Sequence, residues 1–125
     1  AFIQGKVYRP YLCMKVIGHK GKLMVAYGNL AHTQQLRGNY ATAYQNYLKA
    51  LPYLTAGEDD NTHAIYQLRL AEISWQSAQY SQSVMHLQQV EPQLLGDRHT
   101  KIYLQLSNEP ELTPLLAALS TPTKP

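Results

Sequence analysis

The most regular hydrophobic pattern covers residues 30–51, LAHTQQLRGNYATAYQNYLKAL, where small and apolar side chains recur every three or four positions on either side of a polar break. That spacing predicts two helices with one apolar face each. Leu23, Ala26, Tyr27, Leu30 and Ala31 form the first face within residues 22–36, and Arg37-Gly38-Asn39 supplies a stop. The second helix starts at about Tyr40 and carries Ala43, Tyr44, Tyr47, Ala50, Leu51 and Leu54. A connection of two or three residues makes the two helices antiparallel neighbours.

The pattern returns over residues 70–90, LAEISWQSAQYSQSVMHLQQV. A second pair of helices is expected over residues 63–77 and 80–94. Ile65, Leu68, Leu70, Ala71, Ile73 and Trp75 lie on the first; Val84, Leu87, Val90 and Leu94 stripe the second, and Pro92 should end or kink it near Glu91. Between the pairs, residues 56–61 (AGEDDN) read as an acidic, turn-rich loop with Asn61 or Thr62 capping the next helix. Upstream, Pro10 opens a helix over residues 10–18. A break is expected at Gly18-His19-Lys20-Gly21, since each glycine costs about 1 kcal/mol inside a helix, with a fresh helix from Lys22. Downstream, residues 97–106 read as helix despite the strand-like alternation of KIYLQL. A last helix follows over residues 109–119, with Leu112, Leu115, Leu116 and Leu119 on its apolar side and Pro110 in its opening turn. Residues 120–125 read as a tail.

Leu30 and Leu70, Ala31 and Ala71, Tyr40 and Tyr80, Ala43 and Ser83, Tyr47 and Leu87, and Ala50 and Val90 are pairs 40 residues apart. Removing the six-residue acidic loop leaves a period of 34, the length of a tetratricopeptide repeat. The chain resembles that family from Met24 to Leu95. It departs from the family pattern at Gln34 and Ser74, where an aromatic is usual, at Thr55 and Leu95, where a proline is usual, and at Ala78, where Gly38 stands in the first copy. The resemblance implies an all-α fold of antiparallel helix hairpins stacked as a short right-handed superhelix. One domain is then divided into an N-terminal helix or arm (1–21), repeat 1 (22–55), repeat 2 (62–95), C-terminal capping helices (97–119) and the tail. It also implies that the first helix of each pair lines a concave groove. Carried over position by position, the groove comprises Val25, Gly28, Asn29, His32, Gln35 and Leu36 from one copy and Ile65, Leu68, Arg69, Glu72, Trp75 and Gln76 from the other.

Composition fits this reading. With 45% hydrophobic and 15% charged residues, the chain suits an ordinary globular domain rather than a disordered one. The net charge of +3 hides an asymmetry. Residues 1–57 hold seven Lys or Arg and no acid, whereas residues 58–125 hold four against eight acids. A basic N-terminal half suits an acidic partner or nucleic acid; it also complements the acidic half of its own chain. The single Cys13 gives no disulfide framework, so a reducing, cytoplasmic setting is expected. No apolar run is long enough to span a bilayer. The chain opens at Ala1 without a methionine, which suggests a module of a larger regulatory or assembly protein.

The sequence carries no catalytic or metal-binding pattern. Five histidines never fall three or four apart, no zinc pattern includes Cys13, and no phosphate loop or nucleophile elbow occurs. Neither a cofactor nor a metal is expected. The expected function is therefore a non-catalytic scaffold that binds a protein, peptide or helix through Asn29, His32, Gln35, Leu68, Arg69, Glu72, Trp75 and Gln76. Trp75 reads either as a contact or as core, and Arg69 with Glu72 as an intrahelical pair. A homodimer through an exposed end of the stack is open. The alternative is a regulatory domain of a nucleic-acid-associated protein that uses the basic N-terminal half.

Overall fold

A computed structural model describes residues 10–120, with side chains from Lys20 to Leu119. The expected N-terminal arm ahead of Pro10, the side chains of Cys13 and His19, and the tail beyond Ser120 lie outside the described residues. Those described form six α-helices: α1 (Pro10–Leu36), α2 (Tyr40–Ala50), α3 (Asp60–Gln76), α4 (Tyr80–Leu87), α5 (Asp97–Ser107) and α6 (Thr113–Ser120). Short 3-10 turns at Leu51–Tyr53 and Pro92–Leu94 follow α2 and α4. No strand occurs among the described residues.

The two tight turns have the same construction 40 residues apart. After α1, Gly38 N donates to Gln35 O (3.0 Å), Asn39 N to Gln34 O (2.8 Å) and Ala43 N to Asn39 O (3.0 Å). After α3, Ala78 N donates to Trp75 O (3.0 Å), Gln79 N to Ser74 O (2.7 Å) and Ser83 N to Gln79 O (2.9 Å). Each turn passes through a left-handed residue, Gly38 at φ 83° and Ala78 at φ 61°. The reversal caps the preceding carbonyls and starts the antiparallel helix within three residues.

Helix α3 lies between two apolar clusters. Its Leu70 and Ile73 pack with Ala31, Ala43 and Tyr47 of α1 and α2. Its Ala64, Leu68 and Ala71 pack with Val84, Leu87, Val90, Leu106 and Leu112. The small residues Ala31, Ala43, Ala71 and Ser83 are all fully buried, which is what lets helix backbones approach closely enough for Tyr47 and Leu87 to fill the space between them. Ser83 satisfies its hydroxyl by donating to Ala71 O across the α3–α4 crossing (2.7 Å). Tyr40 and Tyr80, one residue past each turn segment, cover the first and second cluster respectively.

Five sequence expectations need correction. Helix α1 runs unbroken through Gly18 and Gly21; a glycine weakens a helix but keeps its N–H and C=O, so 27 residues in register outweigh two local penalties. Helix α2 stops at Ala50 rather than reaching Leu54, because Pro52 cannot donate to a continuing ladder. Helix α4 ends at Leu87, well before Pro92. Helix α6 opens at Thr113 with Pro114 in its first turn, in place of a start at Glu109 and Pro110. Neither Asn61 nor Thr62 caps α3, which begins at Asp60. Instead Asn61 Nδ2 donates to Leu94 O (2.9 Å), while Asp59 and Asp60 accept from Thr55 N (2.8 Å) and Gly57 N (2.9 Å), so the acidic loop folds on its own carboxylates.

Candidate functional site

Helices α1, α3 and α5 bring a set of polar side chains to one surface. Gln35, on the last turns of α1, is the hub. Its Nε2 donates to Glu72 Oε1 (2.7 Å) and to Gln76 Oε1 (3.1 Å), both on α3. Glu72 Oε1 also accepts from Arg69 Nη1 at 3.1 Å, one helical turn earlier. The Glu72 carboxylate can only accept, so the Gln35 amide is held with its nitrogen toward α3 and cannot turn over. Gln35 Oε1 is thereby left buried with no donor, the one such side-chain atom among the described residues.

Around this hub, His32 of α1 and His99 of α5 are close enough to Arg69, Arg98 and Glu72 to feel their charges. Both imidazoles are held below the ordinary histidine value, first by burial and then by Arg69. They are thus neutral at pH 7, in a site whose formal charges are Arg69, Arg98 and Glu72. Among the described residues the Arg69 guanidinium makes one hydrogen bond, which uses one of its five donors.

The residues expected in a groove do not all come together. His32, Gln35, Arg69, Glu72 and Gln76 come together. Asn29 is exposed on α1 outside this network. Leu68 is a correction: it is fully buried in the cluster between α3, α4 and α5, because it shares the face of Ala64 and Ala71. Gln35 is also buried rather than on an open wall, at 6% exposure. Gly28 is covered too, since Tyr66 of α3 lies against it where a Cβ would sit. Trp75 combines both readings: it packs against the second cluster, while its Nε1 donates to Glu111 at 3.2 Å.

Arg98 and His99 were missed by the sequence reading, which treated residues 97–106 only as a cap. The available signal was the start of a third first-helix after Gly96, with two basic side chains in its opening turn. A second polar set was missed as well. Tyr44 Oη bonds His86 Nε2 (2.8 Å), and His86 Nδ1 bonds Gln67 Oε1 (2.8 Å). If Gln67 offers its oxygen, Nδ1 carries the imidazole proton and Nε2 accepts from the tyrosine. This relay ties α2, α3 and α4 together in the interior, and burial lowers the His86 pKa and raises that of Tyr44.

Among the described residues no group of three or more His, Cys, Asp or Glu is placed to hold a metal ion. No helix there is long and apolar enough to cross a membrane. No family model, curated protein or solved structure matches the chain.

Proposed function

We propose that the chain is a tetratricopeptide-like repeat module, with α1, α3 and α5 lining the concave side of a short superhelix, and that it holds a protein segment against that side. It acts as a non-catalytic scaffold within a regulatory or assembly process. The observation that carries this reading is the buried Gln35 carbonyl oxygen: it has no donor among the described residues, its amide is locked by Glu72, and it lies in a polar set contributed by three helices. An unpaired buried acceptor costs about 1 to 3 kcal/mol, and a segment that parts the side chains covering it and places a backbone N–H against it would relieve that cost. Arg69 and Arg98 favour a segment that carries an acidic side chain beside that N–H.

The test is a tiled peptide array screened with the intact chain and with Gln35→Met, which keeps the side-chain length and removes both polar atoms. Peptides that bind the intact chain should bind the variant at least tenfold more weakly, with its helical circular-dichroism signal unchanged. Equal binding by both proteins would refute the assignment. The alternative, a nucleic-acid-associated regulatory domain, draws on the basic residues 1–57. It requires binding that weakens steeply between low and moderate salt, since phosphate contacts release counterions.

A further inference from the structure

The repeat gives a direct measure of what each helix face is built to meet. Leu70 of α3 is fully buried against the preceding hairpin, as is Ile73 at 1% exposure. Their equivalents 40 residues earlier, on α1, are Leu30 and Thr33, and both are exposed, Leu30 at 47%. Tyr66 of α3 packs into the same cluster, and its equivalent Ala26 is likewise exposed. The outer face of α1 therefore has the register of a surface that meets a preceding hairpin, and among the described residues none covers it.

The opposite end has the same unfinished character. Leu104 on α5 and Leu119 on α6 are 53% and 56% exposed. In repeat architectures an exposed end with large apolar side chains lacks the polar outer face that stops stacking. Charge distinguishes the two ends. Residues 20–40 carry Lys20, Lys22 and Arg37 and no acid, whereas residues 97–119, which span α5 and α6, carry Asp97, Glu109 and Glu111 against Arg98 and Lys101. Two copies of the first end would repel, and the first end attracts the mildly acidic last end.

We propose that this chain associates with a second copy of itself head to tail, the outer face of α1 receiving the exposed surface of α5 and α6 from the next molecule. Such a contact is heterologous and leaves a free end on each side, so it produces a series of oligomers that grows with concentration instead of one closed dimer. The exposed apolar anchors are few, Leu30 on one face and Leu104 and Leu119 on the other, so the association is weak and visible at high protein concentration.

The experiment is sedimentation velocity on the intact chain across a hundredfold concentration range, at low and high salt, with two variants alone and mixed. The weight-average mass should rise with concentration, and less so in high salt, where the charge attraction is screened. Leu30→Glu spoils the head and leaves the tail intact; Leu119→Lys does the reverse. Circular dichroism reports whether each keeps its helix content, and Thr33→Glu and Leu104→Lys are the replacement pair if either does not. Each variant alone should stay monomeric, and an equimolar mixture should give a capped heterodimer from the one good head and the one good tail. A monomer at every concentration overturns the proposal. So does assembly of either single variant at wild-type strength. Loss of assembly in Leu30→Glu that the mixture does not restore points to symmetric α1 pairing and overturns it as well.

Discussion

Replacing Ala78 by glycine should stabilise the protein. Ala78 occupies the left-handed region at φ 61°, where the Cβ of an L-residue crowds the following carbonyl at a cost of about 1 to 2 kcal/mol. Its turn bonds, Ala78 N to Trp75 O at 3.0 Å and Gln79 N to Ser74 O at 2.7 Å, hold it there. Glycine removes the crowding but adds roughly 0.4 to 1 kcal/mol of freedom to the unfolded chain. The balance is a gain of about 0.5 to 1 kcal/mol, or about 2 to 4 °C in Tm for a chain of this size. The mirror substitution, Gly38→Ala, should destabilise by a similar amount. A Cβ there would meet nothing within 4 Å, so the effect isolates the backbone conformation from packing. Thermal and urea denaturation of the two variants and their double exchange check the pair. An Ala78→Gly protein that is less stable than the parent would show that the second turn does not adopt the geometry of the first, and the structural equivalence of the hairpins would fail with it.

Gly28→Ala should cost about 1 to 3 kcal/mol by overpacking, because the new methyl meets the Tyr66 ring and hydroxyl; combining it with Tyr66→Ala should recover part of the loss, and additive urea midpoints would contradict the contact. Ala43→Leu should destabilise by a similar amount, since Ala43 is fully buried between α1, α2 and α3; an unchanged melting temperature would count against close packing at that crossing. Acidification should weaken the fold. His32, His86 and His99 are held below their ordinary value of 6.5, so between that value and their folded values the unfolded chain binds more protons. Their contribution is complete above 6.5 and declines as pH falls beneath it, which urea midpoints at neutral and mildly acid pH measure; a flat or rising profile would contradict the burial of these rings.

Apolar periodicity made the hairpins legible because helix faces repeat on a fixed geometry: Ala31, Ala43, Ala71 and Ser83 had to be small wherever two backbones cross, and they are. The ends of the helices were less so. Gly18 and Gly21 read as a break and are helical, while α4 gives up four residues before its proline, because termination depends on competing tertiary contacts and not on one residue's preference. The site was partly legible for a related reason. Position along a helix told which face His32, Arg69, Glu72 and Gln76 share. It could not separate Leu68 from them, since Leu68 lies four residues before Glu72 and so on an adjoining strip of the helix surface, and only the packing of α4 and α5 decides which strip is covered.

The polar interior shows where pattern reading stops in physical terms. Gln35, Gln67 and His86 are buried at positions that hydropathy marks as surface, and each is tolerated because a partner from another helix meets it, 37 residues away for Gln35 and Glu72 and 19 for Gln67 and His86. A buried polar group without such a partner is costly, so the degree of satisfaction separates structural polarity from polarity kept for another purpose. In the Tyr44–His86–Gln67 relay each imidazole nitrogen has a partner, and the relay needs nothing further to explain its place in the core. Gln35 is half satisfied: two good acceptors take its nitrogen, and its oxygen faces no donor among the described residues. The nitrogen joins α1 to α3, whereas the unpaired oxygen adds nothing to stability. An amide at that position, beside Arg69, is the reason the proposed binding surface lies on α1, α3 and α5 rather than elsewhere on the molecule.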